Sequence, residues 1–320
     1  MGQSKSVWSP IKNGLSLSGL ELWLVDRVAF ELSYLRNLEV VEPWNKNLHY
    51  GLLVGNGIEG LIKTQQLRGA AKFIDLQYQK QAAEYDDPEI GWWTKLAQGT
   101  LIEFDKLYSK DLKKYGVLKA EEHYKIDLEL PSGRTIVLHG YMDGDGEDII
   151  FENKCRGDWD TNAIAREIER NLQINFYMLM FKARYGRLPS RVWYQNVRRP
   201  GAFGYHGPRK RTNETSDDYG RRIIEHMKNN IGYYFFRYMV RPNEQLFDMF
   251  LYQCLVPMLE AFLDWYSYMT SPNRDNLVNK FHWITPYGLY NPFMEGTQEK
   301  FREFRLTGST MGMRKKVSYR

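Results

Sequence analysis

Asp143, Glu152 and Lys154 are the residues whose types and spacing suit chemistry. They fall in Gly140-Tyr141-Met142-Asp143 and Glu152-Asn153-Lys154, within two stretches whose apolar patterning predicts neighbouring strands. Side chains alternate along a strand, so Glu152 and Lys154 share a face, and a tight return over 144–148 brings Asp143 beside them. Two carboxylates offer hard oxygen ligands to Mg²⁺ or Mn²⁺ and leave positions open for water and phosphate oxygens, and the Asn153 carbonyl adds one more donor. Lys154 can hold an attacking water or offset charge developing at phosphorus. The alternative is a surface hairpin with acidic decoration and an incidental ion pair.

The elements that must position these groups follow from periodicity. Apolar residues at helical spacing predict helices over 15–38, with Ser16 or Ser18 as N-cap, from about residue 52 and over 90–107. Period-two alternation then predicts strands over 124–130, 135–141 and 149–155, joined by turns at 131–134 and 144–146 as an antiparallel meander. Helical spacing returns at Ile164, Ile168, Leu172, Phe176 and Leu179, and 192–197 reads as a further strand of the same mixed sheet. On that helix Gln173 and Tyr177 lie four apart and share a polar face, which Arg166, Glu169 and Arg170 extend; the alternative is a tyrosine at the core border with an exposed glutamine. An aromatic strand over 233–240 and a long helix over 243–268, bent at Pro257, complete the pattern.

The whole is expected to be one α/β (α+β) domain over 1–320, with a central mixed β-sheet flanked by helices. Its parts are a mainly helical region over 1–110, the catalytic sheet and helix over 120–200, a region over 201–307 with a basic loop, aromatic strand and helix, and a loose basic tail over 308–320. At 320 residues and 43% hydrophobic the chain can bury a large core. Lys and Arg number 44 against 39 Asp and Glu, a mild excess compatible with a polyanionic partner. Cys155 and Cys254 are the only cysteines, which excludes a four-cysteine zinc or iron-sulfur site and a disulfide framework. No apolar run reads as a secretion signal or an uninterrupted membrane span, so the expectation is a soluble, cytoplasmic protein, in host cytoplasm if phage-encoded.

The ordered set Gly140–Asp143, Glu152–Lys154 and Gln173–Tyr177 resembles the G-x-x-D, E-x-K and Q-x-x-x-Y elements of the PD-(D/E)xK phosphodiesterase superfamily, in particular its RecB-like and phage exonuclease branch. The resemblance covers roughly 16–197. It implies a restriction-endonuclease-like core, Mg²⁺ or Mn²⁺ held by Asp143, Glu152 and the Asn153 carbonyl, Lys154 acting on water, and Gln173 with Tyr177 steadying the strand being cut. RecB-like members place a metal-ligating histidine a few residues after a glycine; here Gly55-Asn56-Gly57-Ile58-Glu59 puts Glu59 at that position, and an ordinary solvent-facing Glu59 is the alternative. Several relatives carry a four-cysteine cluster near a Pro-Tyr segment. The comparable stretch 281–294 has no cysteine, so no cluster is expected, and Trp283, Tyr287, Tyr290 and Phe293 are expected to pack in its place.

Arg198, Arg199, Arg209, Lys210 and Arg211, with Arg166 and Arg170, are candidates for contact with a DNA backbone; a solvated basic loop is the alternative. Trp159, Tyr205 and Tyr219 are candidates for stacking on unpaired bases. The expected activity is a sequence-nonspecific DNA exonuclease of recombination, repair or replication, partnered by DNA and by proteins of those processes. Two rivals are a catalytically silent nucleic-acid-binding module of a replication or packaging complex and a sequence-specific endonuclease.

Overall fold

The computed structural model describes residues 8–40, 45–117, 119–157, 160–200, 208–271 and 313–315. It is a mixed α/β structure. Strand β1 (Leu15–Ser16) leads into α1 (Leu17–Val25), whose first turn is closed by the Gly19 N–H donating to Ser16 Oγ. The single helix expected over 15–38 breaks at Asp26, which is extended and whose side chain caps α2 (Arg27–Phe30) by accepting from the Val28 and Ala29 N–H groups. A π-helical segment, Glu31–Leu35, and strand β2 (Leu38–Val40) follow. Helix α3 (Lys46–Thr64) starts well before residue 52 because Asn45 Oδ1 accepts from Asn47 and Leu48. Helix α4 (Leu67–Glu84) escaped the sequence reading: Ala70, Ile74 and Gln81 are its buried residues, too few apolar anchors to mark a face. Helix α5 (Ile90–Lys114) extends past the expected boundary at 107.

Strands β3 (Glu122–Glu129), β4 (Thr135–Met142) and β6 (Ile149–Arg156) are where the sequence places strands, while β5 (Gly144–Asp145) falls on the expected turn at 144–146, and they do not form one meander. One sheet has the order β1-β4-β3, with β1 parallel to β4. After Met142 the chain leaves that sheet, and β5 folds back on β6 in another. Turn residues disclosed where the chain reverses but not which strand receives it. Helices α6 (Thr161–Glu167) and α7 (Leu172–Tyr185) are separated by the 3₁₀ turn Ile168–Arg170, because Asn171 caps a new helix by accepting from the Ile174 N–H. Arg166 and Arg170 therefore belong to different segments from Gln173 and Tyr177, and the continuous polar stripe expected there is interrupted. Strand β7 (Arg191–Arg198) lies parallel to β6, so the 161–185 helices form the crossover of a β-α-β unit, as the pattern predicts.

The stretch 208–222, expected to be loop, passes into α8 (Ser216–Asn229), capped by Thr215. A helical turn, α9 (Ile231–Tyr234), precedes β8 (Phe235–Val240), which pairs antiparallel with β7 and completes the order β5-β6-β7-β8. Helix α10 (Glu244–Met249), a π-helical segment (Phe250–Leu255) and α11 (Val256–Thr270) run on without interruption. Pro257 stands in the first turn of α11, directly after the π-helical segment, inside one continuous helix. Contrary to the expectation of no uninterrupted span, Glu244–Thr270 is by length and composition long and apolar enough to cross a membrane, with 33% of its most apolar window buried. Strand β9 (Met313–Lys315) pairs antiparallel with β2, so part of the tail expected to be loose is held in a sheet. The expected packing of Trp283, Tyr287, Tyr290 and Phe293 lies outside the described residues, as do Trp159 and Tyr205.

Where one domain is expected, the chain divides into two compact units. The first takes Met1–Pro43, Lys125–Gly140 and Asp248–Arg320, and the second takes Trp44–Tyr124 and Tyr141–Phe247. Of the four crossings between the units, three fall inside β3, β4 and α10, so no linker composition marks them. The first unit has an aromatic core: Trp8 lies edge-on to Phe30, Tyr34, Phe262 and Tyr266, with ring centroids 5.5, 5.2, 6.3 and 5.9 Å away. Arg134, after the β3–β4 turn, pairs with Glu260 and Asp264 of α11. The second unit's core joins α3, α5, α8 and the four-stranded sheet through Tyr50, Val54, Phe104, Phe151, Trp193 and Ile223. All candidate catalytic and metal-binding residues belong to this second unit.

Candidate active site

Strand β6 is paired on both sides, with β5 and with β7, and Glu152 is completely inaccessible to solvent. A carboxylate placed there loses its hydration, and among the described residues no group other than Lys154 is placed to compensate its oxygens. Its one close charge partner is Lys154, two residues along the same strand, whose Nζ stands 2.6 Å from Oε1. Asp143, at the exit of β4, is drawn to the same place by the backbone: the Asn153 N–H donates to its Oδ2 at 2.6 Å. Thus two carboxylates and an ammonium meet as the strand spacing predicts.

The electrostatics follow from this crowding. Burial, then repulsion from Asp143, pushes the Glu152 carboxyl up to about 8 against the opposing pull of Lys154. Burial likewise raises Asp143, with Lys154 and the Asn153 N–H holding it down and Glu59 adding repulsion. For Lys154 burial works against the charged form, yet Glu152 and Asp143 outweigh it, and the ammonium is held above its ordinary value. Crowding of the two acids thus favours their protonated forms unless further positive charge is brought to the site.

A cleft of about 310 Å³ opens on this group and is lined by Gly55, Glu59, Glu121, Asp143, Asn153 and Cys155, among others. Helix α3 brings Glu59, which pairs with Lys63 one turn on at 2.5 Å. Glu121 is an acid the sequence reading missed. It precedes β3 in the left-handed region at φ 54°, with its N–H donating to the Met142 carbonyl at 2.9 Å. Burial of its carboxyl, then repulsion by Asp143 and Glu59, pushes it up to about 7. Neither spacing nor a motif distinguishes Glu121 from Glu122 in sequence; the backbone conformation at that position turns it toward the cleft. The Asn153 side-chain oxygen is buried without a hydrogen-bond partner.

From α7, Gln173 Nε2 donates to Tyr177 Oη at 3.0 Å, realising the expected i,i+4 pair. Burial and then the charges of Glu152 and Asp143 raise the Tyr177 phenol, so it keeps its proton and can donate toward the carboxylates. Cys155 is half-buried, and burial pushes its thiol up to about 12, where it is unreactive.

The acidic side chains are the right chemical kind for Mg²⁺ or Mn²⁺, and Glu152's lone oxygens beside a second raised carboxyl are a donor set in want of positive charge. Among the described residues, no three His, Cys, Asp or Glu side chains are grouped closely enough to hold one ion. Lys154 is the cation on Glu152 in this arrangement.

The basic candidates separate. Arg198 is engaged within the fold, its Nε donating to the Tyr233 carbonyl at 3.0 Å and its guanidinium 4.0 Å from that ring's centre. Arg199 is half-buried beside Cys155 and Tyr50, and burial lowers it. Arg166, Arg170, Arg209, Lys210 and Arg211 are exposed. Arg222 pairs with Glu214 at 2.7 Å, and Arg221 pairs with Asp218. Tyr219, a candidate for base stacking, is instead buried and stacked on Trp92 at 5.8 Å. Arg237 was overlooked: it lies over Tyr108 and Trp193, 4.0 and 4.1 Å from the ring centres, and donates to Asp111.

No family model and no curated protein matches the chain. Among solved structures, the crystal structure of SSO0001 aligns with a TM-score of 0.29 and 10% identity, over 65% of this chain and 82% of that one. A likeness this slight carries no argument about fold or function.

Proposed function

We propose that the chain is a Mg²⁺- or Mn²⁺-dependent deoxyribonuclease of the PD-(D/E)xK kind, built on a restriction-endonuclease-like core, and that it degrades DNA without sequence preference from an end. One observation carries the reading: Glu152 is sealed from solvent beside Asp143, with Lys154 ion-paired to it and no other partner for its oxygens among the described residues. Ionising a carboxyl buried this way is expensive, and a bound cation would offset that cost. The parallel pair β6–β7 joined through α7, with the acid and the lysine on β6, supports the core assignment.

Asp143 and Glu152 would hold the ion, with Glu59 or Glu121 completing the set from the cleft. The bound ion would supply a Lewis acid and an ionised water for in-line attack on phosphorus. Lys154, paired with Glu152 in this structure, would hold the attacking water or a non-bridging phosphate oxygen. Tyr177, oriented by Gln173, donates a hydrogen bond at the same edge of the site. Arg199 and the exposed Arg209, Lys210 and Arg211 would bear on the phosphate backbone.

The rival is a silent nucleic-acid-binding module, favoured by the absence of three grouped donors among the described residues and by Lys154 standing where a cation would. Digestion of end-labelled linear and closed circular DNA with Mn²⁺ or Mg²⁺ separates the two readings, comparing wild type with Lys154→Ala and Asp143→Asn. Metal-dependent loss of linear DNA alone, abolished in both variants, is the expected result. Cutting of circles points to an endonuclease, and no metal-dependent product points to the silent module.

A further inference from the structure

In the sheet β5-β6-β7-β8 the parallel pair β6–β7 sets Glu152 opposite Tyr194 and Lys154 opposite Asn196. Side chains alternate along each strand, so these four stand on one face of the sheet. Neighbouring strands lie about 4.8 Å apart, which puts Asn196 within reach of a lysine. On the other side of Asn196, β8 offers Phe236, which is apolar. Asn196 is completely inaccessible to solvent, and neither its Oδ1 nor its Nδ2 has a hydrogen-bond partner among the described residues. A buried amide in that state is less favourable than an apolar side chain of the same shape, which needs no partner. The adjacent polar groups of β7 are satisfied. Gln195, equally buried, accepts from Arg237 and donates to the Phe236 carbonyl, and Tyr194 Oη accepts from Arg156 at 2.7 Å.

Lys154 is the donor next to this amide. Its ammonium carries three N–H donors on a flexible four-carbon stem, and in this structure it is 2.6 Å from Glu152 Oε1. In the functional reading above, the carboxylates of Glu152 and Asp143 turn to a divalent cation, and the ammonium then meets like charge at its present partner. The acceptors on offer differ in what they have left. Tyr177 Oη already receives Gln173 and Tyr194 Oη already receives Arg156, whereas Asn196 Oδ1 receives nothing among the described residues. A neutral amide fixes the direction of an ammonium without cancelling its charge, and it leaves the remaining N–H groups for water and for a phosphate oxygen.

We propose that Asn196 is a positioning residue, whose Oδ1 takes the Lys154 ammonium when a divalent cation occupies Asp143 and Glu152 and so aims Lys154 at the reacting phosphate. The proposal rests on the nuclease reading and adds a residue that no motif in the sequence marks. It gives the lysine two seats, Glu152 without metal and Asn196 with it.

Two measurements test it. Crystals of the full chain grown with Mg²⁺ should show Lys154 Nζ within about 3.2 Å of Asn196 Oδ1. With Mn²⁺ and linear DNA, Asn196→Leu, similar in shape and free of polar side-chain atoms, should lower kcat by about 10- to 100-fold and leave KM for DNA and the calorimetric Mn²⁺ affinity within about twofold of wild type. The double variant Asn196→Leu, Lys154→Ala should cleave no more slowly than Lys154→Ala alone, because both changes remove one device. Melting of Asn196→Leu in EDTA should not fall below wild type, since no bonded partner is lost. Mg²⁺ held by Asp143 and Glu152 with Lys154 still on Glu152 overturns the proposal, whether or not the variant folds. A kcat of folded Asn196→Leu within about twofold of wild type overturns it too, as does a loss that multiplies with that of Lys154→Ala and so reports general damage. A buried water bonded to Asn196 with and without Mg²⁺, with Lys154 elsewhere, gives the amide a purely structural role and has the same effect. Each of these leaves the nuclease reading standing; absence of metal-dependent cleavage by wild type removes that reading and this proposal with it.

Discussion

Replacing Glu152 by glutamine should stabilise the metal-free protein as the pH rises, while removing its response to metal. The side chain is fully buried, and its carboxyl is pushed from an ordinary 4.5 up to about 8 by burial and by Asp143. Its folded value lies above its unfolded one. Over the interval between the two, the folded chain retains a proton that the unfolded chain has shed, so raising the pH favours unfolding. The slope from this group approaches about 1.4 kcal/mol per pH unit within the interval. Below pH 4.5 the contribution is fully present, and above about 8 it is gone. The substituted amide does not titrate, so the stability difference between Glu152→Gln and wild type should grow in the variant's favour from pH 5 to pH 8. The opposing pull of Lys154 is already contained in the raised value and adds no separate slope. Urea unfolding in EDTA at pH 5, 6, 7 and 8, followed by tryptophan fluorescence, measures it. A difference that is flat with pH, or that grows in favour of wild type, refutes the electrostatic argument. Adding Mn²⁺ at pH 8 should raise the wild-type midpoint and leave that of Glu152→Gln unchanged.

Lys154→Ala should lower kcat for DNA cleavage by about 10²- to 10⁴-fold with a smaller change in KM, measured with linear DNA at saturating Mn²⁺. Gly60→Ala should destabilise the protein by about 2 kcal/mol in urea unfolding, since the added methyl meets Phe73 and the backbone of α4. Arg237→Ala should lose about 2–3 kcal/mol by the same measure, because it strips two aromatic rings of their cation and leaves the buried Gln195 Oε1 without its donor. Asn171→Ala should lose about 1 kcal/mol, the worth of the cap that starts α7, and shift the 168–172 amides toward faster hydrogen exchange.

The site was legible where chemistry depends on spacing along one element. Glu152 and Lys154 are two apart on a strand and Gln173 and Tyr177 four apart on a helix, so their alignment follows from periods of 2 and 3.6. Asp143 was legible because a short return leaves it little room to be elsewhere. Glu121 was not, since its role depends on a left-handed backbone conformation and on an approach to Asp143 that no local pattern encodes. The basic residues mark a different limit. Arg198 and Arg237 are alike in composition to Arg209 and Arg211, and tertiary contacts alone commit the first two to Tyr233 and Trp193. Strand positions were readable from alternation, whereas pairing was not: β4 takes β1 as a neighbour and β6 takes β7, choices made by residues far away in sequence. Helix α4, polar over most of its surface, carried too weak a stripe to be seen.

The two units differ in when a growing chain can complete them. Everything in the second unit has been synthesised once Phe247 has emerged, and its helices α3, α4 and α5 need only neighbours already made. Trp8, Trp23 and Phe30 of the first unit, by contrast, find Phe262 and Trp265 only after α11 appears, and Leu38–Val40 must await Met313–Lys315. On the ribosome these early aromatics are therefore without their α11 partners for most of translation, which makes this segment the place where a holdase chaperone would be engaged.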